Sequence, residues 1–85
     1  MNPLKKHRDF LDQIDKQIMD LLEKRFIVTK EIGEIKAREA MVIENKSREQ
    51  EILEKTKRYT YNEEIQALYE YLFDLSKASQ RNKSS

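Results

Sequence analysis

The chain has 85 residues, 39% charged and 38% hydrophobic, with 17 basic side chains against 16 acidic ones. This balance gives no electrostatic footprint for nucleic acid or an anionic membrane surface. The absence of Cys excludes disulfides and thiolate chemistry, and no apolar run reaches the ~20 residues of a membrane span or forms a signal-peptide core.

The first helix opens at "NPL", where Asn2 suits the cap and Pro3 the first helical position. Leu4, Leu11, Ile14, Ile18, Leu21, Val28, Ile32 and Ile35 then recur at alternating spacings of three and four, a heptad seam. The seam predicts a helix to about Arg38, roughly 50 Å long at 1.5 Å per residue. Such a helix cannot fold back on itself and needs partners along its length. "REAMVIEN" (38–45) breaks the seam and reads as a connection. The second helix begins near Asn45 or Ser47, Asn45 as an N-cap or "SREQ" as a capping box, and runs to about Lys57. "RYTYN" (58–62) is the next break, with Thr60 and Glu63 spaced as another capping box. The third helix carries Ile65, Leu68, Tyr69 and Leu72 on one face and ends near Arg81. The expectation is an all-α, cytoplasmic domain over residues 1–81 with a disordered tail at 82–85. No repeat or strand pattern is present. A core this small favours oligomerisation.

Polar residues interrupt both stripes. Counting on from Leu21, the seam meets Arg25 before Val28, and Lys36 lies eleven residues after Arg25, near three full turns, on the same side. In the third helix the stripe continues into Ser76 and Gln80. A buried charge without a partner is very costly. Solvent reach or a nearby Glu would account for Arg25 alone, and a fraying helix end for Ser76 and Gln80 alone. Together the four form a set of cations and neutral hydrogen-bonders with no matching buried acid. That set suits a small anion, above all a carboxylate, which Arg binds in bidentate fashion. His7 is a lone imidazole near a terminus, read as structural or solvated. Gly33, costing about 1 kcal/mol inside a helix, suits close helix packing or ligand approach. The four Tyr residues read as loop and packing residues. No cluster has metal-ligand spacing, and no Ser–His–acid pattern is visible.

The chain resembles the all-helical class (type II) of chorismate mutases over about residues 2–80. The resemblance lies in "LDQIDKQIMDLLEKR" (11–25), "KEIGEIK" (30–36), "SREQEIL" (47–53) and the Ser76/Gln80 pair, in that order on one three-helix plan. It implies an intertwined homodimer of three-helix protomers whose long first helices span both subunits, acting on chorismate to give prephenate with no metal or cofactor. By position it implies substrate-binding roles for Arg8, Arg25, Arg48, Ser76 and Asn45, and catalytic roles for Lys36, Gln80 and Glu49. Asn45 stands where family members often carry Asp, which keeps a helix cap without the carboxylate. Arg8 lies 28 residues before Lys36, roughly 42 Å along one straight helix, so a second subunit has to supply Arg8 if both touch one ligand. An isochorismate-pyruvate lyase on the same scaffold is the nearest alternative, with Glu49 and the Ser76/Gln80 pair favouring the mutase. A non-catalytic helical dimerisation module would leave Arg25, Lys36 and Gln80 unexplained.

Overall fold

The computed structural model describes residues 3–39 and 46–81, with the side chains of 79–81 outside the description. Three helices follow one another: α1 (Pro3–Arg38), α2 (Lys46–Thr56) and α3 (Asn62–Arg81), with no strand among the described residues. Pro3 opens α1, where its missing N–H costs nothing and its fixed φ is helical. Lys36 and Arg38 in the last turn face the negative end of the helix dipole. Of the two cap candidates for α2, Ser47 falls inside the helix, and Asn45 lies outside the described residues. The α3 start differs from the expected Thr60 box. Ile65 N–H donates to the Tyr61 carbonyl at 3.0 Å, so Tyr61 holds the cap position and Thr60 lies one residue outside it. Glu63 and Glu64 in the first turn still complement the helix dipole. The expected tail at 82–85 lies outside the described residues.

α1 packs on α3 and α3 on α2, while α1 and α2 make no direct backbone contact. The molecule measures 59 × 30 × 13 Å, so its thickness is that of one layer of helices. α1 accounts for the long dimension, about 54 Å at 1.5 Å per residue; α3, with 20 residues, spans about 30 Å and covers only part of it. The consequence is a nearly absent core. Phe73 is the one buried apolar side chain among the described residues, joined by Thr56 and Ser76. Every described residue up to Leu21 is exposed, including the seam residues Leu4, Leu11, Ile14 and Ile18. Gly33 is the buried residue of α1. No described helix is long and apolar enough to cross a membrane.

The inner face of α3 corrects the expected stripe. Ile65, Tyr69 and Leu72 are at least half-covered and Phe73 is buried, but Leu68 is 70% exposed. The row at four-residue spacing, Ile65–Tyr69–Phe73, therefore sets the inward direction, and Leu68 falls outside it. Tyr69 and Phe73 touch at tilted planes with centroids 5.9 Å apart, a favoured aromatic geometry.

Candidate functional site

The three helices leave a cleft of about 420 Å³ between α1 and α2, with α3 beneath. Val28, Ile32, Ile52 and Phe73 give it an apolar lining, and into this converge Arg25, Lys36, Arg48, Glu49, Ser76 and Lys77. The α1 contribution follows from helical spacing. Arg25, Thr29, Ile32 and Lys36 share one face, as the eleven-residue interval between the two cations requires. Thr29 turns its hydroxyl back to the Phe26 carbonyl, 3.1 Å away.

Arg25 is held from two sides. Its Nη1 donates to Ser76 Oγ at 2.9 Å, and its guanidinium lies 5.8 Å from the Tyr69 ring centroid, within cation–π range. A planar cation fixed this way keeps several of its five donors for a ligand. Ser76 is only 6% exposed, so its hydroxyl belongs to the cleft and is not the frayed end of a helix. Glu49, on α2, pairs with Lys77 on α3 at 3.3 Å. Glu49, which the resemblance already placed in the site, thus stands among the cations and is itself paired. Arg48 also lines the cleft while its Nη1 lies 3.9 Å from Glu51.

Five of the eight residues singled out in the sequence thus line one cleft: Arg25, Lys36, Arg48, Glu49 and Ser76. Gln80 lies in α3 one turn beyond Ser76, its side chain outside the described residues. Asn45 lies outside them altogether. Arg8 sits on the exposed N-terminal half of the unbroken α1, far from the cleft of its own chain. His7, nearby, points its Nδ1 at the Pro3 carbonyl, 2.8 Å away, and is solvent-exposed as expected. Sequence reading missed Lys77 and Phe73, and it gave Tyr69 a packing role without its contact to Arg25. No group of three or more His, Asp or Glu residues among the described ones has metal-binding geometry.

The chain is thus three helices around a cleft with an apolar lining and four cationic side chains, and comparison with known proteins gives its family. The chorismate mutase type II family profile matches residues 7–81, and the chain belongs to that family. A bifunctional chorismate mutase/prephenate dehydratase from Aquifex aeolicus (strain VF5) is 44% identical over 55 residues, which is 65% of this chain and 15% of the relative. The chain therefore corresponds to a small part of that longer protein. Among solved structures, a conserved hypothetical protein from Pyrococcus furiosus superposes with a TM-score of 0.83 at 34% identity, over 95% of this chain and 99% of the other.

Proposed function

We propose that the chain is a chorismate mutase, converting chorismate to prephenate in phenylalanine and tyrosine biosynthesis. The observation that carries the proposal is the meeting of Arg25, Lys36, Arg48, Glu49 and Ser76 in one cleft lined with apolar side chains. The substrate is a dicarboxylate with a ring hydroxyl and an ether bridge, and each polar group finds a counterpart. Arg25, braced by Ser76, binds one carboxylate. Arg48 adds positive field. Glu49 accepts from the ring hydroxyl. Lys36 and Gln80 donate to the ether oxygen. The rearrangement breaks one C–O bond and forms one C–C bond within a single molecule, so no nucleophile or external electron carrier enters the balance. What remains for the protein is to hold the compact diaxial conformer and to stabilise negative charge growing on the ether oxygen. The apolar walls strengthen both effects by excluding water.

The second carboxylate is assigned to Arg8 of a second copy. Two features support a dimer. A single helical layer with one buried apolar side chain among the described residues is a poor independent core. The heptad seam of α1 also lies open, with Leu4, Leu11, Ile14, Ile18 and Leu21 between 47% and 63% exposed. Pairing the long helices of two copies would cover that seam and carry Arg8 of each toward the cleft of the other. The direct test is incubation with chorismate and, separately, with isochorismate. Prephenate from chorismate supports the proposal; pyruvate and salicylate from isochorismate, with chorismate untouched, would replace it with a lyase.

A further inference from the structure

Two consecutive residues of α3 brace opposite walls of the cleft. Ser76 accepts a hydrogen bond from Arg25 on α1, and Lys77 pairs with Glu49 on α2. The second contact differs from the other ion pairs. Lys5–Asp9, Lys16–Asp20, Arg48–Glu51 and Lys57–Glu54 each lie within one helix or its end, with side chains 58–77% exposed. The Lys77–Glu49 pair joins two helices, with its side chains only 18% and 24% exposed. Lys77 also approaches Asp74 at 3.9 Å, but that carboxylate is 76% exposed, the kind of surface contact that contributes little.

We infer that Lys77 is a positioning residue for Glu49, fixing its carboxylate at the α2 wall so that it can accept a ligand hydroxyl inside an otherwise anion-binding cleft. The inference rests on the mutase reading for the identity of that ligand. Glu49 poses a problem that its neighbours do not. It is an acid in a site meant for a dianion, and without a cation beside it the carboxylate would repel the substrate. Lys77 offsets that charge locally. The contact uses Oε2, and a carboxylate with its two oxygens has about four acceptor positions, so acceptor capacity remains for the substrate. The pair also restrains a Glu side chain of several rotors before the ligand arrives, which lowers the ordering cost at binding.

A simple tie between α2 and α3 would give the same contact, so the test has to separate the two roles. Lys77→Met, Glu49→Gln and the double variant form a cycle, read both as kcat/KM for chorismate and as thermal midpoint. Lys77→Met is expected to lower kcat/KM about tenfold with Glu49 present and less than about twofold after Glu49→Gln, a coupling of the size found between residues in contact. Lys77→Arg keeps the cation and is expected to retain most activity. If Lys77→Met does not fold, Lys77→Gln takes its place in the cycle. Equal losses in both backgrounds overturn the inference, as does a lower midpoint with unchanged kcat/KM. A parent protein that leaves chorismate untouched overturns the mutase reading and this inference with it; an active parent with an uncoupled cycle overturns the inference alone.

Discussion

Replacing Arg25 with Ala separates ligand binding from folding, because the two effects differ in size. In the free protein Arg25 makes one hydrogen bond to Ser76 and a cation–π contact with Tyr69. A hydrogen bond to a charged group contributes ~1.5–3 kcal/mol and a partly solvated cation–π contact ~0.5–1 kcal/mol. Against this stands the cost of a half-buried guanidinium, which the variant no longer bears. The Ser76 hydroxyl can also turn to the carbonyl one turn back in α3. A net loss of ~1–2 kcal/mol follows. From a starting stability of ~5 kcal/mol that leaves well under about one molecule in a hundred unfolded, and it lowers the thermal midpoint by ~4–8 °C per kcal/mol. Losing one partner of a desolvated charge pair with the substrate costs ~2–5 kcal/mol, which is ~30-fold to ~5000-fold in kcat/KM. Circular dichroism and chorismate turnover on the same sample decide the matter. Helicity near the parent's with activity down at least ~30-fold is the expected pair of results. Activity within about threefold of the parent, or a loss that only tracks lost helicity, would make Arg25 a structural residue and remove the clamp from the mechanism.

Sedimentation at micromolar concentration should give about twice the 10.3 kDa chain mass, and placing Glu at both Ile14 and Ile18 should dissociate the dimer and abolish activity. Gly33→Leu should destabilise by ~1–3 kcal/mol in a thermal melt, because Gly33 is buried and the added side chain overpacks its surroundings. Gln80→Glu should be slow at neutral pH and recover as pH falls. An amide donates to the ether oxygen at any ordinary pH, whereas a carboxyl with an ordinary value of about 4.3 donates only when protonated. Initial rates from about pH 5 to 8 check this, and a Glu variant that tracks the parent throughout would place Gln80 away from the ether oxygen.

The limits of α1 were legible because Pro3 fixes its start and the seam has no competing period before Arg38. Arg25 and Lys36 were legible together because eleven residues bring a helix back to one face, and both line the cleft. The inner face of α3 was harder. Leu68, Tyr69, Leu72 and Phe73 offer two overlapping apolar stripes about 100° apart, and hydrophobicity alone does not choose between them. The packing of α3 on both neighbours does choose, turning Tyr69 and Phe73 inward and leaving Leu68 out. Reading the row Ile65–Tyr69–Phe73 one step further at the same spacing reaches Lys77, so a signal for this residue was present. It was masked because a Lys near a helix end ordinarily signals solvent. The partner that draws it inward, Glu49, comes from a different helix, and no spacing along one chain segment encodes that encounter. The exposed seam of α1 shows the opposite limit. Its pattern announces a buried surface that one copy of the chain does not bury.

A complementation experiment tests the shared, two-chain cleft most directly. Arg8→Ala and Arg25→Ala are prepared separately, each expected to be nearly inactive toward chorismate, then mixed, unfolded together and refolded. In a mixed dimer one cleft receives an intact Arg25 from one chain and an intact Arg8 from the other, while the second cleft receives neither. With random pairing about half the dimers are mixed, so the sample should recover about a quarter of the parent's activity. A mixture that stays as inactive as its two components, although refolded and dimeric, would contradict the account, because each cleft would then not be completed by Arg8 of one chain and Arg25 of the other.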